Sequence, residues 1–174
     1  MEKLPTHLEK ILRVTEYDER GTMDGQIVCE CGCETFGVKY FGENYAPHCL
    51  GVQKIEEQKY ACVVKANCRN CGKEWLIFDF AKHAYDGLIC EDGVTVPDER
   101  LVTAVAGEEH NFRIEISIEF DDEEQFTEEI VDNPPEGMSF APDDRVNIWS
   151  WVVIDLKCVK SGKVLKDFVN IELA

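Results

Sequence analysis

The sequence predicts a mostly β fold with few helices, in which a small cysteine-rich β unit precedes an antiparallel sheet or small sandwich. Two observations in the second half carry most of this prediction. Apolar and polar residues alternate strictly over 112–120, as they do in a half-buried strand. A longer apolar run over 146–159 meets the compact turn Ser161-Gly162 and is followed by a strand pattern over 164–173, which is typical of a hairpin.

The first half contains shorter elements. Apolar residues at helical spacing predict a short helix over 4–14, although 11–17 also has the composition of a strand. Glycine and polar residues predict a turn at 21–25 and a loop at 42–51. Strands rich in β-branched and aromatic residues are expected at 35–41, 59–66 and 75–80.

Composition limits the interactions that the protein can make. The chain has 174 residues, with 35 acidic and 18 basic side chains and a formal net charge of -17. Such a charge repels phosphate backbones and anionic lipids, so binding to nucleic acid or membranes is disfavoured and a protein partner is expected. No apolar run approaches the ~20 residues of a membrane span. The charged segment 1–13 lacks the apolar core of a signal peptide.

The chain contains nine cysteines. An odd number without a signal peptide argues against a disulfide framework and predicts the reducing cytoplasm as the compartment. Five of the nine lie in two tight groups, Cys29-Glu30-Cys31-Gly32-Cys33 and Cys68-Arg69-Asn70-Cys71-Gly72. This grouping indicates a metal site rather than ordinary buried thiols.

Each group has the pattern of a metal-binding knuckle, in which two thiolates converge on one ion from a tight turn. A glycine follows the second cysteine and permits the positive φ that such a turn needs. Backbone N–H groups of the turn can donate to the sulfurs. Two knuckles supply four thiolates, the closed tetrahedral donor set of structural zinc. We therefore predict Zn²⁺ bound by Cys29, Cys31, Cys68 and Cys71.

The ligand pair of the first knuckle is open to three choices, Cys29 with Cys31, Cys31 with Cys33, or Cys29 with Cys33. We favour the first, because its second ligand is then followed by a glycine, as in the second knuckle. Cys33 is left as a spare buried thiol or an alternate ligand. A redox Cys-x-x-Cys pair would sit at a strand-to-helix turn, whereas residues 73–78 indicate a strand.

The order knuckle, hairpin, knuckle, strand resembles the zinc-ribbon superfamily, and most closely small bacterial proteins of uncharacterised role with a Cys-x-Cys-Gly first knuckle. The matching residues are the two Cys-Gly groups, with Phe36 after the first and Trp75 after the second. They lie within 26–80, about a third of the chain. The resemblance implies a structural four-coordinate zinc and no particular activity, because such ribbons serve binding and scaffolding roles alike. Cys33 departs from the family pattern.

We predict three units along the chain: an N-terminal segment (1–25), a zinc-ribbon domain (26–86) and an acidic β domain (95–174). The β domain contains an acidic segment, 119–132, in which eight of fourteen residues are acidic. This segment lacks the alternating acids and the glycine of a calcium loop. It is therefore expected to be a solvated connection, with Phe126 and Ile130 touching the core.

No catalytic residue is predicted. The chain has no nucleophile elbow, phosphate loop, dinucleotide fingerprint or His-Glu-x-x-His motif. A closed four-thiolate site also leaves no open coordination position for chemistry. The leading hypothesis is a zinc-binding protein with a structural four-cysteine site that serves as a protein-interaction module.

Two alternative functions stay open. The first is a ribbon that binds nucleic acid through Lys65, Arg69 and Lys73, the densest basic stretch of the chain. The second is an enzyme with a pocket between the two halves, in which His83 and Asp86 would meet acids of 115–132.

Overall fold

The computed structural model describes residues 3–46 and 49–173 and confirms the predicted fold class, mostly β with few helices. Eleven of the described strands form one large sheet, and two form a separate hairpin. The strands, in chain order, are β1 (Leu12–Tyr17), β2 (Thr22–Ile27), β3 (Phe36–Phe41), β4 (Glu43–Ala46), β5 (Cys49–Gly51), β6 (Gln53–Glu56), β7 (Lys59–Ala61), β8 (Val63–Cys68), β9 (Glu74–Asp79), β10 (Val102–Thr103), β11 (Phe112–Glu119), β12 (Trp151–Cys158) and β13 (Val164–Glu172).

The helices of the described chain are short. They are α1 (Phe80–His83), α2 (Tyr85–Leu88) and α3 (Glu123–Phe126), with a π-helical turn over Thr127–Val131 and 3₁₀ turns over Asp98–Arg100 and Pro142–Asn147. None of these helices is long and apolar enough to cross a membrane.

Eight strands of the large sheet follow the order β4-β5-β13-β12-β11-β3-β8-β9. The other three join it from the side, since β2 pairs with β11, β1 pairs with β2, and β10 pairs with β3. Strand β11 pairs with β12 along one edge. On its other edge it pairs with β2 over Glu115–Glu119 and with β3 at Phe112. The boundary that we predicted between units 26–86 and 95–174 therefore does not interrupt the sheet, because strands from both ranges hydrogen-bond within it.

Residue alternation in the second half is confirmed. The inward residues of β11, from Phe112 to Ile118, are at most 3% exposed, whereas Glu115 and Glu119 face solvent. The hairpin turn between β12 and β13 contains Gly162 at φ +70°, a conformation that glycine adopts without strain. These strands bury their apolar face against the main core, which is the arrangement that a period of two predicts.

The acidic segment is attached to the protein by two apolar side chains, as predicted. Phe126 and Ile130 are each 1% exposed and pack with Ile148 in a small core cluster. The segment is more regular than a simple connection. Asp122 caps α3 by accepting N–H bonds from Glu124 and Gln125, and its acids lie mostly on the solvent side.

The predicted helix over 4–14 is wrong. The N–H groups of Ile11 and Leu12 both donate to the Leu8 carbonyl, which closes one turn, and the chain then enters β1. Leu8 and Ile11 are buried in the main core by this turn. Pairing of β1 with β2 therefore overrides the helical spacing of the apolar residues, and the alternative strand at 11–17 is the one that forms.

Two further local predictions need correction. Of the turn expected at 21–25, only Gly21 lies outside a strand, because β2 already begins at Thr22. Gly25 lies inside that strand, where a Cβ would be 2.6 Å from Leu12 Cδ1, so the glycine allows β1 to approach closely. The loop expected at 42–51 contains β4 and β5, while Pro47 and His48 lie outside the described residues. Leu50 of β5 pairs in parallel with β13, a long-range contact that local composition does not reveal.

We expect Phe112→Ala to lower the free energy of unfolding by about 3–5 kcal/mol, because it removes a fully buried ring where β11 meets β3 and β12. Val105→Ala is the control, since Val105 is 44% exposed and should change stability by less than about 0.5 kcal/mol. Urea unfolding of both variants measures the difference. Similar losses in the two variants would contradict this account of the core.

Candidate metal centre

The first knuckle is a tight turn between β2 and β3. The Cys29 N–H donates to the Cys33 carbonyl at 2.9 Å, and the Gly32 N–H donates to the Cys29 carbonyl at 2.8 Å. Gly32 has φ +82°. A residue with a Cβ would be strained there, so the glycine after Cys31 is required by the backbone of the turn.

The second knuckle connects β8 to β9 and is one residue longer. The Cys68 N–H donates to the Lys73 carbonyl at 2.9 Å, and the Gly72 N–H donates to the Cys68 carbonyl at 3.0 Å. Gly72 has φ +75°, the counterpart of the glycine in the first knuckle. The Asn67 side-chain amide donates to the Gly72 carbonyl at 2.8 Å and fixes the end of the turn.

Pairing of β3 with β8 brings the two knuckles together. Phe36, at the start of β3, lies opposite Cys68, at the end of β8. The Arg69 N–H extends this contact by donating to the Thr35 carbonyl at 3.0 Å. The turns therefore emerge side by side at one end of the sheet.

Four sulfur atoms meet at this point. The Sγ atoms of Cys29, Cys31, Cys68 and Cys71 all lie within 4.8 Å of one another. Cys29 Sγ is 3.6 Å from Cys71 Sγ, and Cys31 Sγ is 3.6 Å from Cys68 Sγ. A tetrahedral ion with metal–sulfur bonds of about 2.3 Å requires sulfur–sulfur separations of about 3.8 Å. The cluster therefore has the size of a single-ion thiolate site.

The four cysteines differ in exposure. Cys29 and Cys68, the first cysteine of each knuckle, are 3% and 1% exposed. Cys31 and Cys71 are exposed. Each knuckle thus contributes one sulfur from the core side and one from the solvent side, which places the site at the protein surface with direct access for an ion.

Hydrogen bonds prepare one thiol for ionisation. The Asn70 amide and the backbone N–H of Cys33 lower the pKa of Cys31 to about 6. For Cys71 the backbone N–H of Lys73 lowers the pKa, but the neighbouring thiols, with Cys29 first, outweigh it and raise the value to about 12. Four crowded sulfurs therefore cannot all carry negative charge by themselves, and a cation bound among them would displace the remaining protons.

Cys33, the alternate ligand from the sequence, has different partners. Its Sγ lies 3.4 Å from the Thr35 carbonyl and accepts the Thr35 N–H at 3.4 Å. Cys33 is half-buried and packs against the main core. The structure thus brings together the four cysteines that we favoured and places Cys33 in the short connection that leads into β3.

The remaining cysteines lie in separate surroundings. Burial raises the pKa of Cys62 far above its usual range, which keeps that thiol neutral. Burial and the Asp86 carboxylate raise the pKa of Cys90. Cys158 is buried beside the Glu109 carboxylate, and Cys49 lies in β5.

A side chain of the second knuckle reaches the other half of the sheet. The Arg69 guanidinium lies over Gly37, where a Cβ would be 2.5 Å from it, so only glycine admits this path. Arg69 donates to the Asn111 side-chain oxygen at 2.7 Å and to the His110 carbonyl at 3.0 Å. The knuckle is therefore tied directly to the segment that leads into β11.

The other basic residues suggested for nucleic-acid binding are also paired. Lys65 contacts the carboxylates of Glu74 and Asp98, at 3.2 and 2.7 Å. Lys73 pairs with Glu30 across the two knuckles, and its ammonium lies 4.0 Å from the centroid of the Trp75 ring. These ion pairs neutralise two of the three cations that the sequence offered as a basic surface, whereas Arg69 is held by neutral oxygens.

His83 and Asp86 do not share a site. The His83 ring is stacked 3.9 Å from the His7 ring and 5.0 Å from Trp149, and its Nδ1 accepts the Asp79 N–H at 3.0 Å. Burial, and the nearby carboxylate of Asp92, raise the pKa of Asp86. The sequence does not show the stack, because His7 and His83 are brought together only by the fold.

Comparisons with known proteins identify no relative of this chain. No protein-family model matches the chain, and neither the curated proteins nor the solved structures contain a match. The class of site therefore rests on the geometry of the four cysteines.

The histidine stack should make stability depend on pH. Burial, followed by His7 and Lys82, lowers the pKa of His83 well below its usual range. Burial also lowers the pKa of His7. Because the unfolded histidines bind protons near pH 6.5 and the folded ones do not, the free energy of unfolding should fall as pH drops below about 6.5, by up to about 1.4 kcal/mol per pH unit for each histidine.

Urea unfolding between about pH 7 and about pH 5.5 measures this slope. His83→Phe removes one of the two titrating histidines. It should therefore lower the dependence of the free energy of unfolding on pH by up to about 1.4 kcal/mol per pH unit, whatever its effect on overall stability. His110→Phe is the control, because His110 is exposed and only its carbonyl is engaged by Arg69. An unchanged slope in His83→Phe would show that the buried histidine does not titrate as described.

Proposed function

We propose that this chain is a zinc-binding protein whose four-cysteine site is structural and which serves as a protein-interaction module. One observation carries the metal assignment, the approach of four sulfurs from two glycine-ended knuckles to within 4.8 Å of one another. Four thiolates around one ion make a closed coordination shell, which is the arrangement of structural zinc rather than catalytic zinc. We further propose that residues 26–80 are a zinc ribbon, supported by the two knuckles at the ends of the adjacent strands β3, β8 and β9.

The position of the site supports a structural role. The knuckles join strands by turns with few apolar contacts of their own, and the buried cysteines connect them to the core. Apparent binding of structural zinc by small fingers is worth about 10–16 kcal/mol at neutral pH. Bound metal would hold both turns, and through Arg69 it would hold the approach to β11.

Protein binding is favoured over nucleic-acid binding by charge. The chain carries a net charge of -17, and two of the three cations of its basic stretch, Lys65 and Lys73, are neutralised by ion pairs. Four thiolates around a divalent cation would add further negative charge beside that stretch. We place the protein in the cytoplasm, where its nine free cysteines would stay reduced.

An enzymatic role has less support. His83 is buried against His7 and Trp149, whereas Asp86 lies near Cys90 and Asp92. The histidine and the aspartate thus face different neighbours and do not form the cleft that the enzyme hypothesis requires.

Metal analysis of the purified protein tests the proposal. We expect one equivalent of zinc in the wild type, and loss of that zinc in Cys68→Ser or Cys71→Ser, because a three-thiolate site no longer closes the coordination shell. The same two variants should lose protection from amide hydrogen exchange first in β3, β8 and β9, whose turns the metal would hold.

Cys33→Ser is the matched control, since it removes a thiol of the same knuckle that lies on the Thr35 backbone. It should keep the full equivalent of zinc. Wild-type protein without zinc would overturn the assignment of the site to zinc. Iron in place of zinc would show that the four cysteines form an iron–thiolate site instead. Zinc loss in Cys33→Ser, with zinc kept in Cys71→Ser, would overturn the proposed ligand set.

A further inference from the structure

We propose that the open face of the sheet formed by β2, β11, β12 and β13 binds a Lys/Arg-rich segment of a protein partner. We call this surface the open face. Its defining residues are Asp24, Glu115, Glu119, Trp151, Asp155 and Glu172. The inference rests on the proposed interaction role and gives it a location and a partner chemistry, but it does not depend on the metal site.

Strand register places an aromatic ring between two carboxylates. Trp151 of β12 lies directly opposite Glu119 of β11 and Glu172 of β13. Residues that are directly opposite in neighbouring strands project from the same face, with Cβ atoms about 4.5–5.5 Å apart. An exposed indole with a carboxylate on either side is an arrangement that accepts a cationic side chain, through the ring face and the two charges together.

The ring is held and accessible. The Trp151 Nε1–H donates to the Asn170 side-chain oxygen at 2.9 Å, which fixes the orientation of the indole. Its side chain is 38% exposed, unlike Trp149, which is fully buried. A rigid, half-open tryptophan is the type of residue that anchors protein interfaces.

The next positions along the same strands continue the negative charge. Glu115 of β11 lies directly opposite Asp155 of β12, and Asp24 of β2 lies opposite Ser117. Like charges directly opposite one another in a sheet are destabilising. The free protein therefore carries a repulsion that a bound cation would relieve. The basic residues on these strands are Arg113 and Lys157, which are register partners beyond this area, and the exposed Lys166 of β13.

The chain's own cations do not neutralise the open face. Within the described residues, none of its five carboxylates lies within 4.0 Å of a lysine or arginine nitrogen, whereas nine ion pairs form elsewhere. Several of the available lysines and arginines are engaged at the knuckles and at Glu34. The sheet therefore presents uncompensated negative charge around an aromatic centre.

The surface is large enough for a peptide. Two shallow depressions of about 360 and 300 Å³ lie along β11 and β12, one at Asp24 and Asp155 and one at Trp151. The four strands span about 14 Å from β2 to β13, given strand separations of about 4.8 Å. An extended segment could cross them and place successive cationic side chains at Trp151 and at the Glu115–Asp155 pair.

Charge complementarity selects the occupant. Phosphates and acidic peptides would be repelled by the five carboxylates, whereas Lys and Arg gain ion pairs with them. Arginine gains more, because its planar guanidinium can stack on the indole and bind a carboxylate at the same time. The partner that fits is therefore a protein segment in which Arg or Lys recurs among small residues.

Binding of a fluorescein-labelled peptide of alternating Arg and Ser tests the proposal, with full-length protein and fluorescence anisotropy. We expect wild-type binding that weakens as salt is raised, because the contacts are exposed ion pairs. Trp151→Ala should bind about fivefold more weakly, the effect of losing an exposed cation–π contact of this size. Glu119→Gln with Glu172→Gln should weaken binding by about fivefold or more.

A charge-matched control separates the open face from overall acidity. Glu124→Gln with Glu128→Gln removes the same charge from exposed positions of the acidic segment, and it should change affinity by less than about twofold, because the loss is then only of screened, long-range attraction. Equal weakening by both charge pairs, no effect of Trp151→Ala, or no wild-type binding at low salt would overturn the proposal.

Zinc content measured on the same samples keeps the two proposals distinguishable. The open-face variants should retain wild-type zinc, since their side chains lie on other strands than the four cysteines. Peptide binding that fails in zinc-loaded protein counts against the open face alone. Peptide binding without any zinc would count against the metal site alone.

Discussion

The pairing of β11 along both of its edges is the constraint on which the rest of the structure depends. Its inward residues are buried and its outward residues are polar, so a slip of one residue would bury Glu115 and expose Ile116 to solvent. The register is therefore fixed by the hydrophobic effect. That register sets Phe112 opposite Phe36, and Phe36 in turn lies opposite Cys68. The place where the knuckles meet thus follows from strand pairing in the middle of the sheet.

The four cysteines lie at the end of the sheet, at the edge of the apolar core, where two of them are buried and two are exposed. Knuckle turns have little side chain to bury, and their backbone needs glycine at Gly32 and Gly72 rather than a packed residue. Four thiolates and a cation would provide the missing stabilisation at the surface. Arg69 carries the connection inward, because it passes over Gly37 to the segment before β11. The four-cysteine cluster and the segment before β11 are therefore in direct contact through Arg69, although they lie far apart in sequence.

The same alternation that builds the core also builds the open face. Each strand that turns isoleucine, valine or leucine inward must turn its intervening residues outward, and in β11, β12 and β13 these include Glu115, Glu119, Asp155 and Glu172. Several of the chain's cations lie near the knuckles, where they pair with Glu30, Glu34 and Glu74. Charge is thus separated within one sheet, with compensated pairs at the cysteine end and uncompensated carboxylates around Trp151.

By itself the sequence determined the features that depend only on a few neighbouring residues. These are the period of two in β11, the turn at Gly162, and the two Cys-Gly knuckles. Only the tertiary structure decided which cysteines meet, that β5 adds in parallel beside β13, and that His7 stacks on His83. It also replaced the helix expected at 4–14 by a single turn and a strand. The physical reason is that side-chain period and turn chemistry are local, whereas burial and strand pairing join residues that have no sequence relation to each other.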